Sequence, residues 1–259
     1  MIRRLFALCL LLLSLPCSAA ETLAAVATNF AEVMTRLKAE FESETPHTLR
    51  VATGSTGKLY AQIVAGAPFD VFLAADRERP ERLESEGLAV AGSRFTYATG
   101  TLMLWSGDAG RIGDDGAAIL RAGTFRRLAI ANPELAPYGA AARQTLEALG
   151  VWDRLADRIV MGENIGQAYA MVATGNAELG LVATSQLRDP KRSSMGSSWQ
   201  VPMDLYEPIR QDAVLLVRAA NNEAALALLH FLKQEKAREV VREFGYGPDP
   251  ASLAFPPSG

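Results

Sequence analysis

Apolar positions along the chain alternate between two rhythms. Short continuous runs at 22–27 (TLAAVA), 49–53 (LRVAT) and 69–74 (FDVFLA) have the length and composition of buried strands. Between the first two, Phe30, Val33, Met34, Leu37 and Phe41 recur at helical spacing. Between the second and third, Leu59, Tyr60, Ile63, Val64 and Ala67 do the same, and Gly66 and Pro68 stop that helix. The order βαβαβ predicts a parallel sheet faced by helices. A second set repeats the grammar, with strands at 101–105, 126–131, 158–162 and 178–183 and helices at 138–149 and 165–174. The last segment supplies a strand at 212–217, then helices carrying Ala225, Leu228, Leu229 and Leu232, and Val240 and Phe244. Two α/β units are the economical reading, with the final segment returning to the first.

The amino terminus follows neither rhythm. Arg3 and Arg4 precede an apolar run at 5–13, then Pro16 and the small residues Ser18, Ala19 and Ala20. This is the pattern of a secretory signal peptide, residues 1–20, cleaved after Ala20. The run is about half the roughly twenty residues a membrane helix needs. Both cysteines, Cys9 and Cys17, lie inside it. Cys17 follows proline rather than the small residue expected before a lipidated cysteine, so lipid anchoring is not favoured. The mature chain then holds neither disulfides nor thiolate metal sites. Losing Arg3 and Arg4 and no acid moves the net charge from −3 to −5. Without a basic stripe, nucleic acid and anionic membranes are poor partners.

Ligands of open α/β sheets collect where strand hands over to helix. Four such junctions are alike: ATNF (27–30), GSTGK (54–58), APYGA (136–140) and GENIGQA (162–168). Each puts small, glycine or hydroxyl residues at a helix start, where backbone N–H groups lack partners and the helix dipole favours an anion. The competing account is plain N-capping, for which Ser, Thr and Asn are preferred anyway. Four junctions in one chain, two per unit, make the case for a shared site. Gly54 and Gly57 add backbone freedom that capping does not require.

Along nearly the whole mature chain the sequence resembles the periplasmic molybdate-binding proteins of ABC transporters. AVATNF, GSTGKLYAQIVAGAPFDVFLAAD (54–76), ANPELAPYGAAARQTLEALGVWD (131–153) and GENIGQAYAMVATGNAELGLVATSQL (162–187) carry the resemblance. It implies an α/β, two-lobed type II periplasmic-binding-protein fold, each lobe a mainly parallel sheet flanked by helices. Lobe one would hold 21–98 and 206–259, lobe two 99–205, with crossings near 97–100 and 204–208. A tetrahedral oxyanion, molybdate or tungstate, would sit between the lobes as ligand, with no cofactor and no direct metal ligand. Carried over by residue, Thr28 and Asn29 would offer N–H and side-chain donors, Ser55 its hydroxyl and N–H, Tyr138 its N–H and phenol, and Ile165 its N–H. Ala183 departs from members with a tyrosine there, which is why the Tyr138 phenol is assigned that place. Thr184 and Ser185 either line the cleft or turn the chain. Expected partners are an integral-membrane ABC permease and its ATPase subunit, the protein itself being a periplasmic monomer.

An enzyme is the main rival class. Ser55 and Lys58 form Ser-x-x-Lys at a helix start, an arrangement of exported acyl-transfer enzymes. The chain has no Ser-Asp-Asn and no Lys-Thr-Gly, so Lys58 reads as a solvated helix residue. GSTGK is two residues short of a P-loop. His47, beside Pro46, and His230, a packed helix residue, cannot make a metal cluster. Sulfate, thiosulfate, phosphate or a small organic anion remain alternative ligands, although no junction carries an arginine clamp and Glu163 is the one acid in the four junctions.

Overall fold

The computed structural model describes residues 19–188 and 196–247. The segment expected to be a signal, through Ser18 and with both cysteines, and most of the loop expected at 188–198 lie outside the described residues.

The first unit runs β1 (Glu21–Ala27), a 3₁₀ turn (Thr28–Phe30), α1 (Ala31–Glu44), β2 (Thr48–Gly54), α2 (Thr56–Val64), β3 (Val71–Leu73), α3 (Glu78–Ser85) and β4 (Phe95–Gly100). The second runs β5 (Leu102–Ser106), α4 (Gly116–Ala122), β6 (Leu128–Ala131), α5 (Pro137–Ala148), α6 (Trp152–Leu155), β7 (Ile159–Gly162), α7 (Ile165–Ala173), β8 (Leu179–Ala183), α8 (Thr184–Leu187) and β9 (Ser197–Gln200). Then come β10 (Ile209–Leu215), α9 (Glu223–Leu232) and α10 (Glu235–Glu243).

The strands make two five-stranded sheets, β2-β1-β3-β10-β4 and β7-β6-β8-β5-β9. In each, three strands are parallel, as the βαβ order requires. β10 runs antiparallel to β3 and β4, and β5 antiparallel to β8 and β9. The sheets are therefore mixed, because strands entering from the other unit arrive from the opposite end. The chain passes from the first sheet to the second at Thr101 and returns between β9 and β10.

Burial follows the pattern. Val33, Met34, Leu37 and Phe41 form the buried stripe of α1, and β1 is buried from Ala24 to Ala27. Leu228, Leu232 and Val240 of α9 and α10 join Phe30, Leu37 and Val71 in one core of the first lobe. Leu59, Phe72 and Leu83 fill the opposite face of that sheet. A third core, around Leu104, Leu128, Ala142 and Leu181, belongs to the second lobe.

Three local expectations change. The strand expected at 212–217 begins three residues earlier and includes Gln211 and Asp212, both buried. His230 is exposed rather than packed, because the buried face of α9 is carried by Ala224, Ala225, Leu228, Leu229, Phe231 and Leu232. Neither Gly54 nor Gly57 has a positive φ. What Gly57 provides is closeness: a Cβ there would lie 3.1 Å from the Leu135 carbonyl oxygen in the other lobe.

Candidate functional site

All four junctions meet at one small cavity of about 10 Å³ between the sheets. Its lining comprises 27–29, 54–56, 136–138 and 164–165 with Ala75, and no charged residue is among them. Drug-sized pockets run to about 300–1,000 Å³, so this space suits a few-atom solute. A wider groove of about 640 Å³ lies outside it, between α3, α5 and the return crossing. That groove is open to solvent and mixes three arginines with four acids. The small cavity is the better candidate, because its walls hold polar groups left unmatched.

Ser55 occupies the N-cap position of α2 with extended backbone (φ −66°, ψ 145°), yet its side chain makes no capping bond. Its Oγ is buried and without a hydrogen-bond partner, as is Oγ1 of Thr28 at the start of the 3₁₀ turn. A buried unpaired hydroxyl costs about 1–3 kcal/mol, which plain capping would have avoided. The neighbouring Thr56 is different: its Oγ1 accepts from the Ala75 N–H at 3.0 Å.

The second lobe offers backbone. Pro137 opens α5 and needs no N–H partner there. Tyr138 follows it, and Ile165 opens α7 behind Asn164, whose side chain caps by accepting from the Gln167 N–H at 3.1 Å. Among the described residues, the N–H groups of Ser55, Tyr138 and Ile165 have no protein acceptor. Three helix starts thus aim unpaired N–H groups and helix dipoles into one space.

Of the expected side-chain donors, Asn29 is committed elsewhere and the Tyr138 hydroxyl is drawn toward Gln211. The Asn29 amide donates to Gln211 Oε1 at 2.8 Å and to the Tyr246 hydroxyl at 2.9 Å, leaving its backbone N–H as what it can offer. The Tyr138 hydroxyl accepts from Gln211 Nε2 at 3.1 Å. Burial raises the Tyr97 and Tyr138 phenols well above the ordinary range and lifts Tyr246 to about 12. These hydroxyls stay protonated, so the whole environment is neutral.

The lobes touch around the cavity. Lys58 pairs with Glu163 across the cleft at 3.0 Å, so it is not simply solvated. The Gly57 N–H donates to the Leu135 carbonyl at 2.8 Å, and the Arg79 guanidinium to the Glu134 carbonyl at 3.3 Å. A Cβ on Gly166 would come within 2.6 Å of Thr28 Cγ2. Ser185 neither lines the cavity nor merely turns the chain: its Oγ donates to the Asn29 carbonyl at 2.9 Å, tying α8 to the first lobe. Thr184 bonds the Thr101 carbonyl at 3.0 Å, beside the crossing. The cleft is closed.

Because the Ser55 hydroxyl is unpartnered and the Lys58 amine is held by Glu163, no base activates a nucleophile here. Among the described residues no cluster of His, Cys, Asp and Glu could hold a metal ion, and no helix is long and apolar enough to cross a membrane.

Two α/β lobes closed over a small neutral cavity of helix starts define a solute-binding protein of the two-lobed periplasmic class. The chain belongs to the family of bacterial extracellular solute-binding proteins, whose family model matches residues 22–247. It is 52% identical over 236 residues to the molybdate-binding protein ModA of Azotobacter vinelandii, covering 91% of this chain and 93% of that one. It is 49% identical over 234 residues to ModA of Rhodobacter capsulatus, covering 90% and 91%. The solved structure of a periplasmic molybdate-binding protein from Azotobacter vinelandii superposes with a TM-score of 0.85 at 40% identity, covering 88% of this chain and 99% of that one. These relatives are named as molybdate-binding proteins, and the chain is a binding protein, not an enzyme.

Proposed function

We propose that this protein captures molybdate, or the near-identical tungstate, in the buried cavity and delivers it to an ABC permease in the membrane. The ligand class follows from the named relatives and fits the chemistry of the lining. The observation that carries the reading is the pair of buried, unpartnered hydroxyls, Thr28 Oγ1 and Ser55 Oγ, on the wall of a cavity without charged side chains. An oxyanion would meet both, together with the N–H groups of Asn29, Ser55, Tyr138 and Ile165.

The donor set also accounts for selectivity. A dianion with no proton needs only donors. Phosphate at neutral pH carries a proton that wants an acceptor, and no carboxylate lines this cavity. Sulfate is fully ionised but smaller, so donors fixed for a larger anion would leave it with long bonds, and unmade buried bonds are costly. Donors from both lobes complete the coordination only on closure, so the ligand shifts the hinge equilibrium toward the form a permease would recognise. The signal-like pattern of residues 1–20 and the family support a periplasmic place of work, and the reading takes the protein as a monomer.

Calorimetric titration of the dialysed mature protein with molybdate, tungstate, sulfate and phosphate tests the reading. Tight one-to-one binding of the first two and silence from the others is the expected result. Heat from sulfate or phosphate alone would leave the transport role standing and remove the ligand assignment.

A further inference from the structure

Behind the cavity lies a polar side chain that the oxyanion site itself does not use. Gln211 is fully buried in β10, at the point where the register with β4 shifts between Gln211 and Asp212. Its Oε1 accepts from the Asn29 amide at 2.8 Å and from the Tyr97 hydroxyl at 3.1 Å. Its Nε2 donates to the Tyr138 hydroxyl at 3.1 Å. In this orientation donor meets acceptor at all three partners, whereas turning the Gln211 amide alone would set Nε2 against the Asn29 NH₂, donor against donor. Asn29 and Tyr97 belong to the first lobe and Tyr138 to the second. One buried amide therefore holds a cavity-wall residue from each side of the cleft.

We propose that Gln211 is a positioning residue for ligand retention, which fixes the Asn29 and Tyr138 backbone donors in one geometry and couples them across the closed cleft. The inference rests on the oxyanion reading above. Tyr138 is the second residue of α5, so a side chain anchored at its tip limits how the helix start can rotate, and with it the direction of the N–H. The anchor is tight. A Cβ on Gly100 would stand 2.0 Å from the Tyr138 hydroxyl and 2.7 Å from Gln211 Nε2, so only glycine admits this bond beside the crossing. Donors aimed at a buried anion act best when held in advance, and buried networks of this kind reinforce one another. Opening the cleft parts Tyr138 from Gln211, so this bond belongs to the closed form and should govern release rather than capture.

A double-mutant cycle tests this, using wild type, Gln211→Met, Tyr138→Phe and the double variant. Association and dissociation of molybdate are followed by stopped flow, and ligand-free melting is recorded alongside. Each single change should speed dissociation about tenfold with association within about twofold, and the double variant should be no worse than the worse single one. Additive effects, or lower melting temperatures with unchanged dissociation, would show a merely structural role and overturn the proposal. Should Gln211→Met fail to fold, Tyr138→Phe decides alone: dissociation at the wild-type rate sinks the inference. Wild-type protein that ignores molybdate would sink the ligand reading together with this one, whereas binding with an additive cycle sinks this one only.

Discussion

The two sides of the cleft face the common cavity with different parts of the polypeptide. The first lobe presents hydroxyls, Thr28 Oγ1 and Ser55 Oγ, buried without partners. The second presents main chain, the N–H groups at the starts of α5 and α7, while the one phenol nearby is bonded to Gln211. A side-chain donor can be removed by truncating the side chain, whereas a main-chain donor yields only to proline. The first lobe is thus open to residue-by-residue editing, whereas the second is controlled by whatever orients its helix starts.

The largest effect that could break this contrast comes from the second lobe. Ile165 is the first residue of α7 and Asn164 is already extended (φ −143°, ψ 173°), so the proline backbone is tolerated at 165, where it deletes the N–H and also trims the buried isoleucine side chain. Ile165→Pro should weaken molybdate by about 10- to 100-fold, the value of a bond to a charged partner. Calorimetry with circular dichroism to verify the helix checks it; wild-type affinity would remove Ile165 from the donor set.

Next comes Ser55→Ala, which should weaken binding about tenfold without lowering the ligand-free melting temperature, because an unpaired buried hydroxyl is being removed. A cap would respond oppositely, losing about 1 kcal/mol of stability on truncation. Scanning calorimetry with and without molybdate separates the two.

A smaller effect belongs to the seam. Lys58 and Glu163 are partly exposed, and such pairs contribute about 0–1 kcal/mol. Lys58→Met should speed dissociation by about two- to fivefold at low salt and by less at high salt, where screening has already weakened the pair. A salt-independent effect would mean that Lys58 acts through packing.

The smallest concerns pH. Burial raises the Tyr246 phenol from 10.0 to about 12, so the unfolded chain ionises first. Its contribution to stability is full below pH 10, then declines as pH rises through the folded value. Thermal melts should show no loss from this group between pH 6 and 9 and a fall above about 10, which Tyr246→Phe should reduce.

Much of this was legible in the chain. The strand runs and helical spacings foretold most elements, and the junctions at 27–30, 54–58, 136–140 and 162–168 all reach the cavity. Local pattern carries that information because a strand followed by a small-residue helix start is a short-range signal. What it could not carry was the direction of side chains set by distant partners. Asn29 turns to Gln211, 182 residues away, and Lys58 turns to Glu163, 105 residues away. The one available hint was Gln211 beside Asp212, two polar residues in the first turns of a strand otherwise as apolar as AVLL. His230 was misplaced for another reason: a helix of six buried positions leaves a narrow outer face, and composition alone does not say which residue falls on it.

The hydroxyls of Thr28 and Ser55 also bear on traffic. The bonds that seal the seam, such as Gly57 to Leu135 and Ser185 to Asn29, involve no solute and would form around an empty cavity as readily as a full one. A vacant carrier that shut would compete with loaded carriers for the same transporters. On the proposed reading, hydroxyls left without a partner disfavour vacant closure relative to closure on a solute. The groups that would hold the cargo would thereby also keep unladen molecules out of the queue.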